Sequence, residues 1–263
     1  MRVLVTGSGG SIGRVLAQGL PALGHELRGL DLHDAGELAP AFTLGWTTGD
    51  CLDTATVDAA VEGVDAVVHL AGKPDEGSLA ESLESHVHTT GTLLDAMVRH
   101  GVGRMVYAGS NHAVGRTPRR ELLTTTTRPR PDTFYGTSKV AAEALLSLYA
   151  DRYGLDAIAT RIGSFLPHPQ TVRALSTWLS YDDGVRMVHA ALTCPAPGYQ
   201  VIYGVSANTR GWWDLEPGRA LGYDPQDDAE NWAGDIPARP EDEAEAAHVG
   251  GPFATPAFER PAF

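Results

Sequence analysis

Residues 3 to 13 read VLVTGSGGSIG, a short apolar run that passes at once into a glycine-rich stretch and then into IGRVLAQGLPAL, whose apolar residues have helical spacing. Few folds accommodate that succession. An apolar run of this kind suits a strand covered on both faces. Gly7, Gly10 and Gly13, spaced G-x-x-G-x-x-G, form a turn from strand into helix. The spacing has physical reasons: a tight turn, close approach of the backbone to a pyrophosphate, and close packing of helix on strand. The helix start at Ser11 and Ile12 offers N–H groups and a positive dipole end to phosphates. A dinucleotide is the expected ligand, held by Gly7, Gly10, Ser11, Ile12 and Gly13.

The rhythm continues with LRGLDL at 27–32, DAVVHLAG at 65–72, RMVYAGS at 104–110 and DAIATRIG at 156–163, separated by amphipathic segments such as TGTLLDAMVRH. Apolar strands alternating with helices predict an α/β fold, a doubly wound (Rossmann) parallel sheet. After Gly163 the pattern changes to a helix at 182–193, a strand near 199–203 and loops. The 263 residues suit a single domain, with a dinucleotide-binding core over about 1–163 and a small C-terminal substrate-binding lobe over about 164–263. The last 30 residues are expected to wrap the surface or a neighbouring subunit, or to fray.

The second strand ends in GLDLH, which puts Asp31 near the distance of about 20 residues at which a carboxylate accepts from the adenosine ribose hydroxyls. A carboxylate there repels a 2′-phosphate and favours NAD over NADP. Asp50, in TTGDCLD, is expected near the adenine, and Leu70 and Ala71 close the fourth strand beside the phosphates.

Tyr135 and Lys139 stand four residues apart in YGTSK at the start of an alanine- and leucine-rich helix. That spacing puts both on one face, roughly 5 to 6 Å apart at Cβ. A cation beside a phenol favours the phenolate, so the pair suits a general base.

A formal charge of -13 and the absence of a Lys/Arg block argue against nucleic acid or an anionic membrane as partner. Cys51 and Cys194 lack any CxxC context, which fits a reducing cytoplasm. The start MRVLVTGSGG has no signal-peptide pattern, and no later run approaches a membrane span of about 18 apolar residues. The ten histidines are scattered, and His86 and His88 do not share a helical face, so no metal is expected.

Taken as a set, the glycine loop, Asp31, HLAG, Ser110 and YGTSK resemble an extended short-chain dehydrogenase/reductase from residue 1 to about 163. The resemblance implies that Tyr135 is the acid/base, that Lys139 binds the nicotinamide ribose and depresses the tyrosine pKa, and that Ser110 holds the substrate oxygen. AGSNHAVG at 108–115, RIGSFLPHP at 161–169, RALSTWLSYDD at 173–183 and YGVSANTRGWWD at 203–214 are similar to the uronate dehydrogenase family. This narrower likeness implies NAD-dependent oxidation of a hexuronic acid, D-glucuronate or D-galacturonate, at C1 to the aldarolactone. It assigns Ser110, Asn111, His112, Ser164 and Arg173 to the substrate, and a homo-oligomer to the assembly. A bidentate cation with small polar side chains is what a sugar acid requires.

Two positions depart from the pattern. Where many extended members have an asparagine three residues before a glycine in the fourth helix, this chain reads HTTG, with His88 at that place. Pro74 falls where the uronate dehydrogenases carry a serine. The alternative is an NAD-dependent nucleotide-sugar epimerase or dehydratase of the same superfamily, which usually needs a larger carboxy-terminal lobe than the 100 residues after Gly163. A cofactor-sensing binding protein is a third reading, one that has no need of Tyr135 and Lys139.

Overall fold

The computed structural model describes residues 1–119 and 122–258. The elements run β1 (Arg2–Thr6), α1 (Ser11–Gly19), β2 (Glu26–Asp31), β3 (Trp46–Thr48), α2 (Thr54–Val61), β4 (Ala66–His69), α3 (Leu79–Leu83), α4 (Thr89–His100), β5 (Arg104–Ser110), α5 (Phe134–Tyr153) and β6 (Asp156–Ile162). Beyond residue 163 come β7 (Ser164–Phe165), α6 (Ala174–Thr177), β8 (Trp178–Leu179), α7 (Tyr181–Thr193), β9 (Tyr199–Gly204), α8 (Glu216–Ala220) and α9 (Asp242–Ala246). Between α3 and α4 the chain makes one turn of π-helix, Glu84–His88.

Seven strands form one sheet in the order β3-β2-β1-β4-β5-β6-β9, every pair parallel. The doubly wound fold read from the sequence is present, and its seventh strand comes from beyond residue 163. Alternation along β1 separates the two layers. Val3 and Val5 join α1 and α7 on one face, through Leu16 and Met187. Leu4 faces α2, α4 and α5 on the other, through Val57, Leu93 and Leu146. Burial on both faces is why the strands read as unbroken apolar runs.

Strand order reverses between β1 and β4, so connections leave to opposite sides and open a crevice at the carboxyl ends of the strands. Thr6, Asp31, His69 and Ser110 all stand at that edge. Two isolated bridges, Pro118 with His248 and Leu123 with Trp213, tie the loops after β5 to the late part of the chain. Trp212 and Trp213 are stacked and buried there, as core rather than as pocket lining. Among the described residues no helix is long and apolar enough to cross a membrane.

Candidate active site

The glycine loop is shaped by what it must pass. Gly7 has φ +67, and a Cβ there would lie 2.7 Å from the Ala71 nitrogen. Gly13 lets α1 sit on the loop, since a Cβ would stand 2.5 Å from the Ser8 carbonyl oxygen. Gly10 is the N-cap of α1 and no side chain caps the helix, leaving first-turn N–H groups at Ser11 and Ile12 for a ligand. Asp31 accepts from the Gly9 N–H at 2.8 Å and from the His33 N–H at 3.1 Å, so its carboxylate lies against the loop. Leu70 donates its N–H to the Thr6 carbonyl and Ala71 donates to the Thr6 hydroxyl, which binds the end of β4 to β1. Asp50 is exposed after β3 and accepts from the Leu52 N–H. An uncapped helix, a glycine cradle and a carboxylate at the end of β2 fit a dinucleotide.

Helix α5 starts at Thr133, whose hydroxyl accepts from the Gly136 N–H at 2.8 Å. One turn later the Lys139 ammonium is buried, donates to the Ala108 carbonyl at 2.8 Å, and stands 5.3 Å from the centre of the Tyr135 ring. Burial opposes charge on both groups. It pushes the Tyr135 phenol up to about 12, with the Ser110 hydroxyl drawing it back and Asp132 adding to the rise. It pulls Lys139 down to about 7, against the raising effect of Glu143. Both shifts have burial as their largest cause.

The histidine beside Tyr135 is His86, two residues before the His88 that stands in place of the family's asparagine. His88 is exposed. His86 is buried, its ring edge-to-face on Tyr135 at 5.1 Å, with Nε2 donating to the Lys73 carbonyl at 2.9 Å and Nδ1 left without a partner. The π turn that carries His86 brings its ring to Tyr135. Deeper in, His69 lies between the Thr6 and Thr90 hydroxyls at 2.8 and 3.2 Å.

A cavity of about 450 Å³ opens in front of Tyr135, with Lys73, Pro74, Glu76, His112 and Phe253 among its walls. Ser110, Asn111 and His112 follow one another at the end of β5, where the Ser110 hydroxyl accepts from the His112 N–H at 3.2 Å. His112 Nδ1 meets the buried Asp132 carboxylate at 2.9 and 3.1 Å, and its ring contacts Tyr135 at 5.9 Å and Phe253 at 4.9 Å between centres. Ser164 and Arg173 are not among the cavity walls. Ser164 is bonded to the Thr177 hydroxyl at 2.9 Å. Arg173 donates from Nη2 to the Val249 carbonyl at 2.8 Å and leaves Nε without a partner. Burial lowers its pKa, while Glu245 and Asp132 raise it. Asp183 pairs with Arg186 instead.

The late segment expected to wrap a surface or fray enters the site. Val249 and Gly250 donate their N–H groups to the Thr117 and Gly115 carbonyls. Gly250 passes against the Asp132 carboxylate and Gly251, at φ +62, against the Arg173 guanidinium, so closely that a Cβ at either would collide. Only glycine threads between that anion and that cation. The segment then lays Phe253 on His112 and Phe258 on Phe253. The sequence reading missed Asp132, Glu76, His86 and this glycine pair; GG followed by aromatic residues was the available signal for the last.

Residues 3–179 match the NAD dependent epimerase/dehydratase family. The chain belongs to that family. Within it, the chain is 38% identical to the uronate dehydrogenase of Pseudomonas putida, over 96% of this chain and 95% of that protein. A uronate dehydrogenase from Agrobacterium tumefaciens, in a variant complexed with NAD, superposes with a TM-score of 0.90 at 36% identity, covering 100% of this chain and 98% of that one. The glucuronic acid dehydrogenase of Chromohalobacter salexigens gives a TM-score of 0.88 at 36% identity, with 96% of each chain covered. The recognition of an extended dehydrogenase of the uronate dehydrogenase type, made on motifs, agrees with these likenesses over nearly the whole length.

Proposed function

We propose that this chain oxidises a hexuronic acid, D-glucuronate or D-galacturonate, at C1 to the aldarolactone, with NAD as oxidant. The observation that carries the reading is a cation behind the Gly251 strap, whose Phe253 walls the Tyr135 pocket. Arg173 has an unpartnered Nε, and among the described residues no carboxylate is bonded to it. A half-buried guanidinium with a spare donor suits an anion. A uronate carries its carboxylate at the opposite end from C1, so a clamp at Arg173 would leave C1 for Tyr135. The likeness to uronate dehydrogenases over nearly the full chain supports the same substrate class.

Gly7, Gly10, Ser11, Ile12 and Gly13 would hold the pyrophosphate of NAD, Asp31 the adenosine ribose, Asp50 the adenine side, and Leu70 and Ala71 would lie beside the phosphates. When bound, NAD supplies the hydride acceptor. Tyr135 as phenolate takes the proton of the C1 hydroxyl as the C1 hydrogen leaves with its electron pair. Ser110 orients the C1 oxygen, and Lys139 anchors the nicotinamide ribose. Asn111, His112 and Ser164 bond the ring hydroxyls. With burial and Asp132 holding the Tyr135 phenol up to about 12, a positive charge beside it, Lys139 as an ammonium, favours the phenolate.

The chain works as a single domain, its core over 1–163 and its substrate and tail elements over 164–263. We infer a cytoplasmic homo-oligomer.

Purified protein with NAD and glucuronate, galacturonate, glucose or a UDP-sugar in separate cuvettes tests the reading. NADH should form with the uronates and not with glucose. Interconversion of the UDP-sugar, with no NADH from uronates, would instead establish the epimerase.

A further inference from the structure

We propose that Glu76 is a positioning residue for Tyr135, fixing the first turn of α5 and one wall of the pocket in a single relation. This rests on the reading of Tyr135 as the base. A helix opens with N–H groups that have no partner inside it. In α5 the Gly136 N–H is met by Thr133, the ordinary capping residue at the adjoining position. The N–H groups of Phe134 and Tyr135 are met from elsewhere, each donating at 2.9 Å to one oxygen of the Glu76 carboxylate, 58 and 59 residues away in sequence. Such bonds from a positive helix end to an anion are charge-assisted. The base therefore hangs from a peptide nitrogen that cannot move without breaking a bond to Glu76.

The other end of the same loop is fixed as firmly. The Lys73 N–H donates to the Ser85 hydroxyl at 2.7 Å, and the Lys73 carbonyl accepts from His86 Nε2 at 2.9 Å. Residues 73–76 thus bridge the π turn and the start of α5, with Pro74 between them facing the cavity. The bridge has a second effect. Because the protein's own carboxylate fills the start of α5, an anionic substrate finds no site there. Its carboxylate is left to the Arg173 end.

Glu76→Ala and Glu76→Gln in the full chain test the proposal. With glucuronate and NAD, kcat should fall roughly tenfold or more in Glu76→Ala, the scale expected when a reacting group is slightly misplaced. Its affinity for NADH, followed by fluorescence, should stay unchanged. Glu76→Gln should lie between, because an amide oxygen satisfies one N–H and its amino group opposes the other. Millimolar sodium formate should restore rate to Glu76→Ala and raise its Tm by filling the two N–H groups, with neither effect on the wild type. Wild-type turnover in Glu76→Ala, or a loss that formate relieves in neither rate nor Tm, overturns the proposal. A wild type that makes no NADH from glucuronate overturns the reaction reading instead, and the formate-dependent Tm still decides on Glu76.

Discussion

Lowering the pH from 7.5 to 4.5 should weaken folding steeply, and two histidines beneath the active site carry much of the loss, beside His25, which burial lowers to about 4. His69 is 1% exposed and His86 2%. Burial, followed by the nearby Lys139 charge, pushes each imidazole down to about 3. An unfolded histidine titrates near about 6.5. Between those values the unfolded chain binds protons that the native chain refuses, so stability falls as pH drops through 6.5 and levels off only below about 3. At pH 4.5, two units under the unfolded pKa, each histidine costs about 2.7 kcal/mol, and the pair about 5 kcal/mol. That is comparable with the whole stability of many domains, about 5–15 kcal/mol. Urea unfolding followed by circular dichroism at pH 7.5, 5.5 and 4.5 measures the slope. His86→Asn and His69→Gln should each remove about 2.7 kcal/mol of the loss at pH 4.5, whatever they do to stability at pH 7.5. Slopes equal to the wild type in both variants would refute the reasoning.

Tyr135→Phe should lose at least about a hundredfold in kcat, the usual scale for a general base, while its affinity for NADH is kept; steady-state rates and fluorescence titration check it. Arg173→Lys should raise KM for the uronate far more than for NAD, because an ammonium cannot reproduce the planar fork, and parallel changes in both KM values would assign Arg173 to structure alone. Asp31→Ala should narrow the preference for NAD over NADP, read as the ratio of kcat/KM values. Gly251→Ala puts a side chain at φ +62 against Arg173. It should cost about 1–3 kcal/mol by thermal unfolding and raise the uronate KM without changing cofactor affinity.

The sheet and its cofactor cradle were legible because they are local. Each strand is a short apolar run, and Gly7, Gly10 and Gly13 make their turn within seven residues. Tyr135 and Lys139 were legible for the same reason, being one turn apart on α5. The features that escaped depend on distant contacts or on a change of helical register. Glu76 meets α5 across 58 residues, and nothing in KPDE announces its partner. His86 reaches Tyr135 from a π turn, which i, i+4 spacings in a sequence do not announce.

The strap of Val249, Gly250 and Gly251 between Asp132 and Arg173 sets the order in which the enzyme can be assembled on the ribosome. All seven strands precede it in the chain, so a nascent polypeptide can complete the sheet and its dinucleotide cradle while the sugar pocket still lacks the wall carrying Phe253. Arg173 and Val249 are 76 residues apart, and the cation has no carbonyl to hold it until the later residue has emerged. A chain released early would then have cofactor affinity without turnover, and oxidation of sugar acid would report that translation had run past the strap.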